Sequence, residues 1–333
     1  MNPHLTSTRD IILSLEESMK TEIIGQHDLV RKLMITLFAW GHALIEWVPG
    51  LGKTRTVKAL AKILWYDMKR ISFTPDLLPT DLTGTEIYKP QTGKFEIRKW
   101  PIFTSILLAD EINRTPPKVQ SALLEAMEEW QVTIGNETLP LPSPFFVIAT
   151  QNSLEHEGTY PLPEAQLDRF FMKIVISYPS PEDEKWIFQQ VHAHTVVEKM
   201  DTKNTTVWAS SITVSGTELL EMQEYIEKNI SIDPKIYDYI SALLEMTRSR
   251  DGKWTVRNSQ LSYGASTRAW LALIGGARIC ALLAGRDYVS PDDIKYIARD
   301  ILRHRIGLSY EALANRISTD DIIEEILGKV RIP

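Results

Sequence analysis

The chain has 333 residues, which is enough for two domains and a sizeable hydrophobic core. Its hydrophobic fraction of 44% and charged fraction of 24% are those of a folded globular protein, and a formal net charge of −6 argues against general nucleic-acid binding. One cysteine excludes an internal disulfide, and the sequence lacks a signal-like or bilayer-length apolar run, so we expect a cytoplasmic protein without membrane insertion.

Short apolar runs alternate with amphipathic helical patterns in the first half of the chain. Because strands that alternate with helices pair in parallel, this half predicts a sheet covered by helices on both faces. The candidate strands are, in chain order, 42–46, 71–73, 105–109, 144–150 and 171–177. Helices are predicted where apolar residues recur at Val57, Leu60, Ala61 and Leu64, and again after the Pro-Pro pair at 116–117.

The second half of the chain carries helical patterns only. Ser180-Pro181, the capping box of Ser215 and Glu218, and Ser290-Pro291 mark helix starts, and polar residues 196–207 read as a loop or linker. We therefore expect an α/β fold in which a nucleotide-binding core over 1–180 is followed, over 181–333, by a linker and a small all-helical domain.

The stretch 44–56, LIEWVPGLGKTRT, ends as a phosphate-binding loop ends. The backbone N–H groups of such a loop cradle phosphates, Lys53 reaches the outer phosphates, and Thr54 holds Mg²⁺. A chance Gly-Lys-Thr turn that opens a helix is the alternative. Trp47 stands where the pattern has its first glycine.

Acidic and amide side chains end two further candidate strands. Asp110 and Glu111 follow a buried strand, and Asn152 follows the next one. Because the carboxyl ends of parallel strands meet at one edge, Asp110 is expected to help hold Mg²⁺ through its waters and Glu111 to polarise an attacking water. Asn152 could orient that water. Solvated polar strand ends are the alternative reading of each.

Two arginines are candidates for stabilising charge on a transferred phosphoryl group. Arg169 follows the third strand end by one short helix, and Arg268 lies near the start of a helix in the second domain. Taken alone, each arginine is more often a surface or ion-pair residue.

In their order along the chain, these motifs resemble the MoxR family of AAA+ ATPases over about 8–333. The resemblance rests on IIGQHDLV, VPGLGKT, RISFTPDLLPTDLTG, LLADEINRTPPKVQSALLEAMEE, VIATQNSLEHEGTYPLPEAQLDRF and GASTRA. It implies an AAA+ P-loop αβα core with a parallel sheet, followed by a helical lid. It further implies ATP and Mg²⁺ as cofactors and a homo-oligomeric ring, commonly a hexamer, with ATP at the subunit interfaces.

The resemblance also assigns roles to individual residues. It places the Walker A loop at Pro49, Gly50, Leu51, Gly52, Lys53 and Thr54, and it places the adenine-pocket stretch at Ile24, Gly25 and Gln26. Walker B falls on Asp110 and Glu111, sensor 1 on Asn152, the arginine finger on Arg169, and sensor 2 on Arg268. The segment from about 75 to 104 is similar to the helix-2 insert that faces the centre of the ring.

The function implied is ATP hydrolysis by a chaperone-like protein that remodels or activates partner protein complexes, often ones with von Willebrand A domains. No nucleic-acid partner is expected. Two alternatives stay open: a nucleotide-sensing binding module with little or no hydrolysis, if Trp47 is genuine, and the ATPase subunit of a magnesium-chelatase-type complex.

Four tryptophans stand at or near positions where the family has glycine, namely Trp40, Trp47, Trp65 and Trp100. Gly accounts for only 16 of 333 residues (4.8%), against about 7% in average proteins, and adding the nine Trp residues gives 25 of 333 (7.5%). Either the tryptophans are genuine and crowd the loop, or the source organism reads the codon UGA as glycine. We predict the second, with glycine native at 40, 47 and 100.

Overall fold

The computed structural model describes residues 3–23, 25–47, 53–64, 66–91, 93–152, 158–176, 214–250, 253–254 and 260–333. Its strands are β1 (Ala43–Trp47), β2 (Met68–Ser72), β3 (Gly84–Lys89), β4 (Lys94–Lys99), β5 (Ile106–Asp110), β6 (Gln131–Ile134), β7 (Glu137–Pro140), β8 (Phe146–Asn152), β9 (Met172–Ile176), β10 (Ser249–Arg250), β11 (Lys253–Trp254), β12 (Leu261–Tyr263) and β13 (Gly307–Leu308).

The helices of the described residues are α1 (Pro3–Glu22), α2 (His27–Phe38), α3 (Lys53–Leu64), α4 (Pro79–Thr83), α5 (Pro117–Glu129), α6 (Glu164–Leu167), α7 (Gly216–Asn229), α8 (Pro234–Met246), α9 (Thr267–Leu283), α10 (Pro291–Leu302), α11 (Tyr310–Ala314) and α12 (Thr319–Lys329). A 3₁₀ turn spans Ile112–Arg114. None of these helices is long and apolar enough to cross a bilayer.

A five-stranded parallel sheet in the order β2-β5-β8-β1-β9 forms the centre of the first half. Every residue of β5 is buried, and alternate residues point to opposite faces. Ile106 and Leu108 pack into a core shared with α1, α2 and α3, whereas Leu107 and Ala109 pack against α5 and the segment before β5. The two-sided burial explains why these strands read as continuous apolar runs.

The five predicted strands are confirmed, although their ends differ from the prediction by a few residues. The largest shift is in β2, which was expected at 71–73 and spans Met68–Ser72. Only Ile71 of this edge strand is fully buried, so Lys69 and Arg70 gave no apolar signal.

The predicted helices agree with the structure where residues are described. In α3, Val57, Leu60 and Leu64 face the core, and α7 begins with the expected capping box, in which Ser215 and Glu218 accept each other's backbone N–H. The predicted helix start at 180–181 and the linker at 196–207 lie outside the described residues.

The predicted helical lid is confirmed, with two short strand pairs that the sequence did not indicate. Helices α7 to α12 form it, β10 pairs with β11, and β12 pairs antiparallel with β13. The lid is fixed to edge strand β9, because α10 packs on β9 and the Arg303 guanidinium just after α10 donates to the Lys173 carbonyl (3.2 Å).

The N-terminal helix α1 contacts both halves of the protein. It packs against α2 and α3 on one side and against α7 and α9 on the other. Arg9 donates from Nε to the Leu283 carbonyl at the end of α9 (3.2 Å), and the buried Glu16 pairs with Lys20 (2.9 Å) and Arg31 (3.0 Å).

The segment between β2 and β5 contains the short helix α4 and the antiparallel hairpin β3–β4. Tyr88 and Phe95 lie opposite each other on this hairpin, with ring centroids 5.3 Å apart, and both side chains are exposed. This hairpin occupies the segment for which the sequence predicts an insert.

Two helices end with a tryptophan in the left-handed backbone region. Trp40 follows α2 with φ 59°, and Trp130 follows α5 with φ 55°. After α2, the N–H of Gly41 donates to Thr36 (2.9 Å) and the N–H of Trp40 to Leu37 (3.3 Å), the bond pattern that glycine usually completes at a helix end.

Candidate active site

The carboxyl ends of the central strands bring the predicted residues to one edge of the sheet. Asp110 ends β5, Asn152 ends β8, and Trp47 ends β1. In the pairing register, Trp47 lies opposite Asn152 and Ser72 of β2 lies opposite Asp110. Ligands of open α/β sheets bind at this edge.

The predicted phosphate loop connects β1 with α3. Residues 48–52, with the predicted Pro49, Gly50, Leu51 and Gly52, lie outside the described residues, and of Lys53 and Thr54 only the backbone is described, as the first turn of α3. The structure thus supplies the strand before the loop and the helix after it. The individual contacts of these six residues stay predictions.

Asp110 is held rigidly by two donors. Its side chain is almost fully buried, Thr150 on the neighbouring strand donates from Oγ1 to Oδ1 (2.7 Å), and Arg70 of β2 donates from Nη2 to Oδ2 (2.6 Å). A carboxylate with a charged donor on one oxygen and a hydroxyl donor on the other is fixed in direction. Such a group suits the water-mediated binding of a divalent cation.

Glu111 takes a left-handed backbone conformation with φ 59° and ψ 49°. For a side chain with a Cβ this conformation costs about 1–2 kcal/mol, and strained residues of this kind concentrate at functional sites. The Glu111 N–H donates to Thr150 Oγ1 (3.0 Å), and its half-buried carboxylate pairs with Arg114 Nε (3.2 Å). Thr150 therefore fixes Asp110 and Glu111 together.

Asn152 is buried beside these groups, at the end of β8.

In the predicted adenine-pocket stretch, Ile24 lies outside the described residues, Gly25 has φ 72°, and Gln26 directly precedes α2. The Gly25 conformation is one that glycine adopts without strain.

The two predicted arginines meet at one carboxylate. Arg169 Nη2 lies 2.9 Å from Glu128 Oε2, and Arg268 Nη2 donates to Glu128 Oε1 (2.5 Å). Glu128 belongs to the last turn of α5, so the core contributes Arg169 and Glu128, and the lid contributes Arg268. Sequence reasoning singled out both arginines but not the carboxylate that joins them.

Asp168 makes a second connection between core and lid. It accepts from Ser266 Oγ (2.7 Å) and from Arg305 Nε (2.8 Å), and Arg268 Nη1 lies 3.7 Å away. Burial lowers the pKa of Arg305 to about 10, so Arg305 stays protonated at neutral pH and the pair stays ionic.

If genuine, a tryptophan at position 47 was expected to crowd the phosphate loop, and Trp47 does not do so in the structure. It is the last residue of β1, paired in register with Asn152 and Ile176. Its indole is 1% exposed within the main core, and its Nε1–H has no acceptor among the described residues. The indole is directed into the core rather than over the edge of the sheet. A buried donor without a partner costs about 1–3 kcal/mol.

The sequence pattern missed Arg70, Thr150, Glu128 and Asp168. Arg70 and Thr150 each contact Asp110 across 40 positions of sequence, and Arg268 contacts Glu128 across 140. All four lie in the stretches that resemble the family, and Thr150 and Asp168 stand within two residues of predicted site residues, but their contacts depend on the tertiary fold.

Comparison with known proteins agrees with this fold. The model for the ATPase family associated with various cellular activities (AAA) matches residues 42–172, and the AAA lid domain model matches residues 255–326. The crystal structure of a candidate ATPase from Cytophaga hutchinsonii superposes with a TM-score of 0.86 at 44% identity, covering 99% of this chain and 97% of that one. The fold and the two family models together define an AAA+ ATPase.

Relatives of known name specify the family further. The chain is 44% identical over 317 residues to Chaperone MoxR1 of Mycobacterium tuberculosis, covering 95% of this chain and 80% of that protein. It is 43% identical to the uncharacterised protein YeaC of Bacillus subtilis, covering 95% and 93%. The chain belongs to the MoxR family of AAA+ ATPases. These relatives do not favour the binding-module or magnesium-chelatase alternatives.

Proposed function

We propose that the protein hydrolyses ATP and uses the energy to remodel or activate partner protein complexes. The observation that carries the proposal is the arrangement of Asp110 and Glu111. One carboxylate is buried and fixed by Thr150 and Arg70, and the next is half-buried on a strained backbone at the same strand end. This pairing of a fixed and an accessible carboxylate suits metal-assisted attack of water on a phosphate.

Each residue has a chemical task in this proposal. Asp110 and Thr54 would hold Mg²⁺, which when bound neutralises phosphate charge, and Lys53 would bind the outer phosphates. Glu111 accepts the proton of the attacking water, and Asn152 orients that water by its amide. The donors around Asp110 hold its carboxylate in place, whereas the Glu111 carboxylate remains accessible to the water.

Arg169 and Arg268 would stabilise the charge that develops on the transferred phosphoryl group. Because both side chains are tied to Glu128, they present two cations from one place. In a homo-oligomeric ring, for which we propose six subunits, Arg169 acts on the ATP of the neighbouring subunit.

The chaperone-like role rests on the relative named Chaperone MoxR1. We propose that the clients are protein complexes, including ones with von Willebrand A domains, met in the cytoplasm, and that nucleic acid is not a partner. The same proposal divides the chain into a nucleotide core over 1–180 and a linker with lid over 181–333.

Glu111→Gln tests the hydrolytic step. The variant should bind ATP as the parent does and lose turnover, because the metal site remains while the water loses its base. Steady-state phosphate release and equilibrium nucleotide binding measure the two effects. Glu125→Gln, an exposed change on α5, is the matched control and should leave both unchanged. Turnover of Glu111→Gln within a few-fold of the parent would contradict the assignment.

Lys53→Ala tests the predicted phosphate loop separately. Removing the cation should weaken ATP binding itself, at least tenfold, because the phosphates lose their charged donor. An unchanged dissociation constant, measured by titration calorimetry, would argue that this turn does not bind phosphate.

A further inference from the structure

We propose that Glu128 is a positioning residue that assembles Arg169 and Arg268 into one two-armed phosphate-binding unit. The inference rests on the proposed ATP hydrolysis and deepens it. It assigns a role to a carboxylate that lies in one of the stretches resembling the family but was given no role there.

Each arginine binds a different oxygen of the Glu128 carboxylate. Oε2 of Glu128 lies 2.9 Å from Arg169, and Oε1 accepts from Arg268 at 2.5 Å. Arg169 is further fixed by donating from Nη1 to the Leu124 carbonyl (2.9 Å), one turn earlier on α5. Helix α5 therefore sets the position of both guanidinium groups relative to the sheet.

Charge gives the shared carboxylate its role. Two guanidinium groups side by side repel each other, and an anion between them removes that repulsion. Each planar group carries five N–H donors, so binding one carboxylate oxygen leaves donors of each arginine for a second anion. The Arg169 and Arg268 side chains are 31% and 47% exposed, which leaves both accessible to a phosphate from outside the subunit.

Glu128 also ties the arginine finger to the lid. Arg268 is the second residue of α9, whose preceding residue Ser266 is bonded to Asp168, the neighbour of Arg169 in the chain. When the lid moves, Arg268 moves with it, and the ion pair between Glu128 and Arg169 changes as a result. Without Glu128, the two arginines would respond to the lid independently.

Kinetics of Glu128→Ala test the proposal. We expect kcat for ATP hydrolysis to fall at least tenfold while KM changes by less than threefold, because the arginines act on the transition state more than on bound ATP. Glu129→Ala is the matched control. It is adjacent and exposed, and it has no ion pair among the described residues, so its kcat should stay within twofold of the parent. Glu128→Asp keeps the charge and should recover part of the loss.

A double-mutant cycle separates positioning from a purely structural role. In the Arg169→Ala/Arg268→Ala background, Glu128→Ala should cause no further loss of kcat, since it acts only through the arginines. A loss by the same factor in that background, or a parent-like kcat for Glu128→Ala alone, would overturn the inference. If the alanine variant unfolds, Glu128→Gln, which keeps the shape and removes the charge, is judged by the same two criteria.

Failure of the proposed function is distinguishable from failure of the inference. A parent chain without ATP turnover overturns both. A parent that hydrolyses ATP in an arginine-dependent way, but is insensitive to Glu128, overturns the inference alone.

Discussion

Left-handed backbone at a tryptophan is the clearest residue-scale departure from ordinary conformational preference in this chain. Trp40 and Trp130 adopt it after α2 and α5, and Gly285 adopts it after α9 with the bond pattern seen at Trp40, from Gly285 to Leu282 and from Arg286 to Ala281. Glycine carries no penalty there, whereas any side chain costs about 1–2 kcal/mol. The positive φ at position 40 thus favours glycine, the residue that we predict there from composition. The positive φ at position 130 favours glycine for the same reason.

The stability of paired variants tests this conformational argument. Trp40→Gly should be more stable than Trp40→Ala by about 1 kcal/mol, because both remove the indole and only glycine relieves the positive φ. Trp130→Gly and Trp130→Ala should differ in the same direction. Free energies of unfolding from urea titrations measure the differences.

Trp270, inside α9, supplies the reverse control. There alanine should be the more stable replacement, by about 1 kcal/mol, since glycine weakens a helix interior. An alanine advantage at position 40 as well would show that the left-handed geometry has no energetic consequence there.

The recoding hypothesis makes a sharper claim about Trp47. We predict that the gene has UGA at codons 40, 47 and 100 and that protein from the source cell carries glycine, as peptide mass spectrometry can establish. Because the phosphate loop follows position 47 directly and glycine there permits closer backbone approach to the phosphates, the Trp47 form should hydrolyse ATP at least tenfold more slowly than Trp47→Gly, which corresponds to about 1.4 kcal/mol in the barrier. Codon UGG at 47, or tryptophan in the native peptide, would refute the hypothesis.

At Trp100, where φ is not positive and the Arg98 guanidinium stacks 4.6 Å from the ring centre, the backbone does not require glycine.

At the scale of elements, a buried histidine joins the start of β1 to β8 and α5. The Val147 N–H of β8 donates to His42 Nδ1 (3.1 Å), so Nε2 carries the proton and donates to the Met127 carbonyl of α5 (3.3 Å). Complete burial lowers the pKa of His42 to about 4, because charging the ring would cost its solvation. The three elements are held by a neutral imidazole.

Lowering the pH should therefore destabilise this junction of β1, β8 and α5. The unfolded chain takes up a proton near pH 6.5 and the folded chain only near pH 4, so stability is present above pH 6.5 and falls as pH drops through that interval. The contribution reaches about 1.4 kcal/mol per pH unit. Urea titrations of His42→Gln between pH 7 and pH 5 should show a correspondingly shallower pH dependence. The exposed His27→Gln should keep the parental slope, and an unchanged slope in His42→Gln would contradict a neutral buried ring.

The sequence predicts most elements of the core because their burial is periodic or continuous. β5 and β8 are apolar along almost their whole length, and α3 shows its buried face in the spacing of Val57, Leu60 and Leu64. β12 and β13, by contrast, have three and two residues and pair across more than 40 positions, so no local pattern marks them. The same limit applies to the site, where the strand-end residues Asp110 and Asn152 were predicted but Arg70 and Glu128 depend on tertiary contacts.

At the scale of the whole molecule, the proposed arginine finger links two subunits, because Arg169 of one acts at the ATP site of the next. Arg169 lies on the side of the core that faces Arg268 of the lid, and both remain partly exposed. In the proposed ring, each active site takes its catalytic carboxylate from one chain and its arginine from the next. This division of labour allows complementation between inactive chains.

Mixing Arg169→Ala subunits with Glu111→Gln subunits should raise ATP hydrolysis well above the residual level of either variant alone. In an equal random mixture, roughly a quarter of the interfaces pair an intact Glu111 with an intact Arg169, as the head-to-tail contacts of a ring allow. Phosphate release, with co-assembly verified by native mass spectrometry, measures the recovery. Mixed rings that stay inactive would indicate that Arg169 acts within its own subunit.

The position of α1 between core and lid has a consequence for how the chain matures on the ribosome. The helix is synthesised well before α9, since Leu283, the acceptor for Arg9, follows Arg9 by 274 residues. At about 5–20 residues per second, on the order of 15–55 s separate the two. During that interval the apolar residues Ile12, Leu15 and Met19 can pack only on α2 and α3, while the surface that α9 will cover remains open. Helix α1 is therefore completely buried only after α9 has been synthesised.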